Sequence, residues 1–217
     1  MNVVFLLIFI SKISAVFFNE PKFCPTVKWN EPATTFSPND EDSLSSTDVD
    51  IFIDIDNTIY VALKREYQIL VWRKQDTFPM IIHVQNWCKL SSIFVSKIGD
   101  IYTSCNTNEI IRWIPSTNTF VNTTTFENPC YQIFIDINNY LYCSMWDTDT
   151  VAKRWLDNEM EITVVAGTGW TGSAPNELDG PKGIFVDTNL DLYVADSENN
   201  RIQLFPLNEK NGKTVAG

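Results

Sequence analysis

The chain has 217 residues, 44% of them hydrophobic, and a formal net charge of −11 at pH 7. This apolar content is enough to bury a core. Because phosphate binding needs clustered Lys and Arg, the acidic balance argues against nucleic acid and against an anionic membrane surface as partners.

The N-terminus contains an apolar stretch over residues 3–10. A run of this length is too short to span a bilayer and is typical of the apolar region of a signal peptide, with small residues at Ser14 and Ala15 as cleavage positions. We therefore predict a signal peptide over residues 1–18, a secreted or extracellular chain, and no membrane insertion after the signal is removed. A buried strand or an uncleaved anchor is the alternative.

Four similar units follow, each opened by a short run of β-favouring residues. The runs start at Ile51, Ile93, Ile133 and Ile184, which are 42, 40 and 51 residues apart. Eight residues after each start comes an aliphatic residue and then a tyrosine, at Ile59-Tyr60, Ile101-Tyr102, Leu141-Tyr142 and Leu192-Tyr193. A repeat period of this kind determines the architecture. We expect Tyr142 in the core.

Two further β-like runs complete each unit. The third run ends in an aromatic residue, at Trp72, Trp113, Trp155 and Phe205. The fourth run covers residues 80–84, 119–121, 162–165 and 214–215. Four short strands in roughly 40 to 50 residues are typical of one propeller blade. We therefore predict an all-β fold, a β-propeller of four-stranded antiparallel blades at about residues 50–86, 87–126, 127–167 and 168–217.

The fourth unit carries a family pattern. Its segments GIFVD and DLYVAD, the Asn-Arg-Ile triplet at residues 200–202 and the closing TVAG at residues 214–217 resemble an NHL repeat. The other units match by spacing, since Asp196 is replaced there by Leu63, Cys105 and Met145. The resemblance covers about residues 50–217 and implies an NHL-type β-propeller. Such propellers bind proteins, RNA or small molecules, so it implies no single activity.

Residues 19–49 are rich in Pro, Ser, Thr, Asn and Asp, which indicates loop structure. The interval from Trp29 to Phe36 equals that from Trp113 to Phe120 across the third and fourth strands of unit two. Residues 19–49 are thus expected to supply outer strands of a shared closing blade, as part of a ring of about six blades. The competing interpretation is a closed ring of four blades with an irregular N-terminal arm.

Cysteine positions suggest two disulfides. Relative to the start of its unit, Cys88 lies at −5 and Cys105 at +12, while Cys130 lies at −3 and Cys143 at +10. Both pairs sum to 7, and a constant sum places two residues at one level of an antiparallel hairpin. We predict Cys88 with Cys105 and Cys130 with Cys143, against the alternative of free core thiols. Cys24 has no partner in this scheme.

One side of the propeller is expected to bind a partner. Loops between second and third strands and between blades emerge on that side, and they contain Trp87, Trp146, Asp147 and Trp170. An acidic rim is expected from Glu109, Asp147, Asp149, Glu177, Asp179 and Asp196. Exposed tryptophans beside polar groups suit a protein or glycan partner. The alternative is that each tryptophan packs over the blade tops.

Asn122 begins the sequon Asn-Thr-Thr at the end of an outer strand. An outer edge is accessible, so we predict glycosylation at Asn122 in a secreted chain.

Catalysis finds little support in the residues. Secreted NHL-like propellers include amidating lyases, whose zinc site needs several imidazoles, and this chain has one histidine, His83. A calcium site is the possible exception among cofactors, because oxygen ligands can be scattered. Acidic residues recur after the first strand at Asp54, Asp136 and Asp187, with Ser96 in unit two. We expect them to bind their own turn amides, and Asp196 to pair with Arg201 within the blade.

The sequence therefore predicts a secreted propeller that acts as a protein- or glycan-binding module, with no catalytic and no metal residues. A calcium-assisted six-bladed hydrolase or lactonase is the first alternative. An intracellular scaffold is the second, disfavoured because no zinc-binding Cys and His pattern accompanies the repeats.

Overall fold

A computed structural model describes residues 49–64, 66–74, 76–84, 88–156 and 161–217. The expected signal peptide, the segment up to residue 48 with Cys24, and Trp87 lie outside the described residues. In the described part of the chain, no helix has the length and apolar character needed to cross a membrane.

The described chain forms sixteen strands in four antiparallel sheets, each with its strands in sequence order. The first two sheets consist of β1 Val49–Ile53, β2 Ile59–Leu63, β3 Gln68–Trp72, β4 Met80–His83, β5 Leu90–Val95, β6 Ile101–Cys105, β7 Glu109–Ile114 and β8 Thr119–Thr125. The other two consist of β9 Gln132–Ile135, β10 Tyr140–Met145, β11 Thr150–Trp155, β12 Thr163–Ala166, β13 Pro181–Val186, β14 Leu192–Asp196, β15 Arg201–Phe205 and β16 Lys213–Ala216. A short 3₁₀ helix, η1, covers Trp146–Thr148.

Each sheet is one propeller blade, and the four meanders predicted from the repeat are confirmed. The first strands β1, β5, β9 and β13 contact one another in turn, so they line the axis, and β4, β8, β12 and β16 lie outermost. In every blade the tyrosine of the second strand pairs with the phenylalanine of the first, as in Phe52 with Tyr60. The fold is an all-β propeller with four blades in the described chain.

The turns between first and second strands are organised by the recurring acidic residues. Asp54 Oδ1 accepts hydrogen bonds from the N–H groups of Asp56 and Thr58, at 2.9 and 2.8 Å. Asp136 and Asp187 make the same pair of bonds in their own turns. In blade two, Ser96 Oγ accepts the N–H of Asp100 at 3.1 Å. The predicted role of these residues as turn acceptors is therefore confirmed.

The same carboxylates hold the core tyrosines. Tyr60 donates its hydroxyl to Asp54 Oδ2 at 3.0 Å, and Tyr142 donates to Asp136 Oδ2 at 3.2 Å. Burial, followed by the adjacent carboxylate, raises the pKa of both phenols. Tyr142 is 2% exposed, which places it in the core as expected. Each turn is thus tied to the middle of its blade.

A row of phenylalanines links the blades near the axis. Phe52, Phe94, Phe134 and Phe185 occupy the same position of their first strands. Successive rings meet edge to face, with centroids 5.1, 5.3 and 5.4 Å apart. Such pairs contribute about 0.5–1.5 kcal/mol each beyond the area they bury. The row belongs to a core cluster that spans all four blades, while Leu63, Leu70 and Trp72 form a separate cluster in blade one.

Polar side chains two residues before the phenylalanine, in blades one to three, add a hydrogen bond across each blade boundary. The bonds join Asp50 Oδ2 to the N–H of Ile93 at 2.8 Å, Ser92 Oγ to that of Ile133 at 3.2 Å, and Gln132 Oε1 to that of Ile184 at 2.7 Å. Burial raises the pKa of the Asp50 carboxyl, against the lowering effect of its hydrogen bonds. The equivalent residue of blade four is Gly183, which has no side chain to accept such a bond.

Candidate interaction surface at the junction of blades three and four

Antiparallel strand order places two kinds of connection at the same end of the propeller. These are the connections between second and third strands and those between consecutive blades. We call this end the loop face and the opposite end the turn end. The loop face includes residues 106–108, 126–131, 146–149, 167–180 and 197–200. Loops carried on a rigid scaffold are where binding residues concentrate.

Two disulfides lie towards the loop face. Cys88 is bonded to Cys105, with the Cα atoms 4.9 Å apart, and Cys130 to Cys143, with the Cα atoms 5.2 Å apart. These are the two pairs expected from the cysteine offsets. Each joins the segment before a first strand to the second strand of the same blade. They close the inner hairpins of blades two and three.

Blade four has an ion pair at the corresponding place. Arg201 Nε donates to Asp196 Oδ2 at 2.7 Å, which confirms the predicted link within the blade. Asp196 Oδ1 also accepts the N–H of Asp179 at 2.7 Å, and Oδ2 accepts the side-chain amide of Asn199 at 2.9 Å. Asp196 is fully buried. It was expected on the acidic rim, and that placement is wrong because its carboxylate is consumed inside the blade.

The same arginine shapes the long loop that joins blades three and four. Its guanidinium donates to the carbonyl oxygens of Ser173, Ala174 and Glu177, at 2.7, 3.2 and 3.0 Å. The Glu177 carboxylate accepts the N–H of Ala174 at 3.0 Å. Charge-assisted bonds of this kind are stronger than neutral ones. Residues 167–180 are therefore ordered by hydrogen bonds from Arg201 and by hydrogen bonds within the loop.

Asp149 connects that loop to blade three. Its carboxylate accepts the N–H of Gly180 at 2.8 Å and the hydroxyl of Thr171 at 2.6 Å. Asp149 has a positive φ of 51° directly after η1, a conformation that Asp tolerates better than most residues. Its carboxylate is thus used to hold the loop, not to present charge on the rim.

Trp146 lies against the same loop. A Cβ atom placed on Gly180 would come within 2.7 Å of both Trp146 Nε1 and Glu198 Cγ. Only a glycine, which also adopts φ of +59° here, lets the indole and the glutamate approach the backbone this closely. Trp146 therefore packs partly over the top of the blade, as the alternative interpretation of the tryptophans expected, although it stays 48% exposed.

Trp170 is the most open aromatic of this region, with 78% of its surface exposed. It lies at the tip of the loop, where Thr168 Oγ1 accepts its N–H at 3.3 Å. Asp147 is exposed on η1 beside Trp146. We define the junction surface as Trp146, Asp147, Trp170, Asp179 and Glu198. Trp87, the remaining expected member, lies outside the described residues.

Negative charge accumulates on the junction surface. Partial burial, and then the carboxylates of Asp149, Glu198 and Asp196, raise the pKa of Asp179. The one ion pair found here among the described residues joins Lys182 Nζ to Glu198 Oε1 at 3.4 Å, and both side chains are exposed. Exposed pairs of this kind contribute little. The carboxylates of Asp147 and Asp179 have no such pair in the described chain.

Glu198 was missed by the sequence analysis. It occupies the connection between the second and third strands of blade four, the same class of loop that singled out Trp146. The offset from the repeat start was therefore a usable signal. The contact with Gly180 was not, because it joins residues whose order along the chain gives no hint of proximity.

A tyrosine ring contacted by two lysine side chains lies beside the junction surface. The ammonium groups of Lys64 and Lys182 lie 5.5 and 6.0 Å from the centre of the Tyr131 ring. Cation–π contacts at exposed sites are worth about 0.5–1 kcal/mol. Lys182 thus contacts Tyr131 of blade three as well as Glu198 of blade four.

His83 lies far from these residues in the fold, on the outermost strand of blade one. It helps to line a groove of about 620 Å³ with Arg73, Met80, Trp113 and Phe120, between the outer strands of blades one and two. Within the described residues, no group of three or more His, Cys, Asp or Glu is placed to hold a metal ion.

Asn122 is exposed on β8, the outer strand of blade two. Its side-chain amide donates to Glu109 Oε1 at 3.1 Å. The register of β8 against β7 shifts between Ile110 and Ile111, which leaves Thr123 of the sequon as the extra residue of a β-bulge. Glycosylation at Asn122 stays a prediction.

The comparisons with known proteins agree with this geometry. The NHL repeat model matches residues 178–205. These residues span the end of the long loop and the first three strands of blade four. No curated protein sequence matches the chain.

Solved structures resemble the fold at low sequence identity. A streptogramin B lyase superposes with a TM-score of 0.60 and 18% identity over 81% of this chain and 57% of its own. An auxiliary nutrient binding protein from Bacteroides ovatus gives 0.63 and 15%, over 77% of this chain and 46% of its own. A chain of a nidogen/laminin complex gives 0.61 and 13%, over 74% and 59%.

This chain therefore spans about half the length of the structures it resembles. Identities this low establish a shared fold and leave activity open. The chain is thus a β-propeller that contains an NHL repeat, located in its fourth blade.

Proposed function

We propose that the chain is an extracellular interaction module, without catalysis, that binds a protein or glycan through the junction surface. The observation that carries this proposal is the 78% exposure of Trp170 on a loop ordered by many hydrogen bonds, together with Trp146, 48% exposed, on η1 against the end of that loop. Exposing an aromatic ring to water is unfavourable, so burying that ring under a partner contributes favourable free energy to binding.

The order of the loop favours a binding role for Trp170 over the alternative that its exposure has no function. Asp149, Asp196 and Arg201 make six hydrogen bonds to the loop that carries Trp170, and one of them joins Asp149 to the adjacent Thr171. A preordered anchor loses little conformational entropy when a partner covers it. Trp170 is therefore the expected centre of the interface, with Trp146 and Asp147 beside it.

The extracellular part of the proposal is supported by the disulfides of blades two and three. Such bonds persist in oxidising compartments and are rare in the cytosol. The apolar segment at residues 3–10 supports the same compartment through a signal peptide, and Asn122 is accessible for a glycan.

The compartment is tested by the mass of the protein released from a eukaryotic host, before and after reduction and glycosidase treatment. We expect loss of about 15 to 20 N-terminal residues, two disulfides and a glycan at Asn122. An intact and reduced chain retained in the cytosol would overturn the extracellular assignment.

The binding site is tested with arrays of purified peptides and glycans, probed with the full chain and with Trp170→Ala. We expect ligands of the unmodified chain to be lost by this variant. Phe78→Ala is the matched control, because Phe78 is 69% exposed but belongs to the β3–β4 connection at the turn end. Equal binding by all three proteins would sink the proposed surface.

A further inference from the structure

Three acidic side chains and two tryptophans share one small region of the loop face. Trp146 and Glu198 both lie against Gly180, as their approach to a Cβ at that position shows. Asp179 precedes this glycine, and its carbonyl oxygen accepts the N–H of Glu198 at 3.1 Å. Indole and carboxylates therefore surround a single stretch of backbone.

Trp170 is joined to the same stretch through Asp149. The Asp149 carboxylate binds Gly180 with one oxygen and Thr171, the neighbour of Trp170, with the other. One side chain therefore ties the backbone beside Trp170 to Gly180, against which Trp146 packs.

The cations of this region do not neutralise it. Arg201 is used by Asp196 and by three loop carbonyls, and Lys182 is shared between Glu198, at 3.4 Å, and the ring of Tyr131. Partial burial raises the pKa of Asp179, and the charges of the Asp149, Glu198 and Asp196 carboxylates raise it further. A positive group placed there would relieve this repulsion.

We infer that the occupant of the junction surface is a basic polypeptide segment, whose Lys or Arg side chains pack on Trp146 and Trp170 and pair with Asp147, Asp179 and Glu198. This inference rests on the proposed binding function and narrows it to one class of partner. Tryptophan is the aromatic side chain that binds cations most strongly, and arginine also stacks on its face. Carboxylates beside the ring add charge complementarity and select against acidic partners.

Neutral and acidic partners fit the surface less well. A neutral glycan would stack on the tryptophans but would gain nothing from the net negative charge. An acidic peptide or glycan would be repelled by three carboxylates. The basic segment is the class that uses both features of the surface.

The experiment measures binding of three fluorescent peptides to the full chain by anisotropy, at low and at physiological salt. The probes are a Gly/Ser peptide with three arginines, the same peptide with three glutamates, and the same peptide with three serines. A short chitin oligosaccharide is the glycan probe. We expect the arginine peptide to bind most tightly and to weaken as salt rises.

Charge variants show whether binding occurs at the junction surface. The double variant Asp147→Asn/Asp179→Asn is expected to weaken the arginine peptide about tenfold, since exposed ion pairs contribute modestly. Lys182→Ala is expected to strengthen it, because Glu198 loses its competing cation. Asp56→Asn is the control, since Asp56 is an exposed acid in the β1–β2 turn at the opposite end. Melting curves of Asp56→Asn and Lys182→Ala should match that of the unmodified chain, and the double variant should melt no lower than it.

The outcomes separate the inference from the proposed function. Equal weakening by Asp56→Asn and by the double variant would show non-specific attraction to an acidic protein and overturn the inference. The serine peptide or the glycan could instead bind, with binding lost in Trp170→Ala and unchanged in the charge variants. That result would overturn the basic partner but support the binding surface. Indifference of every probe to Trp170→Ala would overturn both.

Discussion

Blades two and four fasten the same point of the propeller by different chemistry. Twelve residues after the start of the repeat, blade two has Cys105 and blade four has Asp196. Five residues before the start they have Cys88 and Asp179. The first pair is a disulfide, and the second is a hydrogen bond from the Asp179 N–H to the Asp196 carboxylate.

The difference lies in what else each fastening does. A disulfide uses up both sulfur atoms, so it closes its own hairpin and orders nothing beyond it. The Asp196 carboxylate also holds Arg201, whose remaining N–H groups order the long loop. The long loop with Trp170 is therefore ordered by the ionic fastening of blade four, while Trp146 lies in blade three, whose own fastening is the Cys130–Cys143 disulfide.

The largest expected change in stability comes from removing a core tyrosine. The change should be larger in blade three, which has a disulfide, than in blade four, which has the NHL repeat. Tyr142→Ala in blade three should lower the free energy of unfolding by about 3 to 5 kcal/mol, because a fully buried ring is removed and Asp136 loses a donor. Tyr193→Ala in blade four should cost less, because Tyr193 is only half-buried. Urea unfolding of both variants measures this. Equal losses would contradict the difference in packing.

The ionic fastening is broken by Arg201→Ala. It should cost about 3 kcal/mol, because a buried carboxylate loses its partner. Amide hydrogen exchange should rise in residues 168–180 and stay unchanged in blade two. Lys182→Ala removes an exposed cation from the same blade and serves as the control. Unchanged exchange in the loop after Arg201→Ala would show that the loop is ordered by other contacts.

The covalent fastening is broken by the double variant Cys88→Ser/Cys105→Ser. The bond joins residues 17 apart, so its loss should cost about 3 kcal/mol through the entropy of the unfolded chain. Because the disulfide orders nothing beyond its hairpin, binding at the junction surface should persist below the new melting temperature. Loss of binding in the folded variant would show that blade two and the junction surface are coupled.

The smallest expected effect is an increase in stability on removing a charge. The pKa of Asp179 is raised in the folded chain, so ionisation of this carboxyl costs more in the folded than in the unfolded state. Its contribution opposes folding at pH values above the folded pKa and vanishes well below the ordinary value of 3.8. Asp179→Asn should therefore raise the melting temperature at pH 7, and the gain should fade as the pH is lowered. A gain that persists in acid would have another cause.

The architecture was predictable because its signals are local. Strand length, turn residues and the interval from Ile133 to Tyr142 recur within each unit, so four copies reinforce one another. The disulfide pairs followed from the same offsets. The role of Asp136 was also predictable, because an acidic residue before a tight turn binds amides two and four residues on.

The surface was predictable only in part, because its contacts join distant residues. Asp149 binds Gly180 across 31 positions, and Arg201 reaches Ser173 across 28. No pattern along the chain shows that Asp196 is buried while Asp179, with an identical side chain, stays at the surface. The burial of a carboxylate depends on whether an arginine and free amides converge on it, and only the folded chain shows that.

The hydrogen bonds between blades explain how such a chain tolerates change. The boundary position is aspartate, serine and glutamine in blades one, two and three, and each supplies one oxygen to the amide of the next blade. A carboxylate, a hydroxyl and an amide all meet that requirement. Mutation can therefore exchange them without separating the blades, and a duplicated unit would arrive with both of its docking ends already compatible.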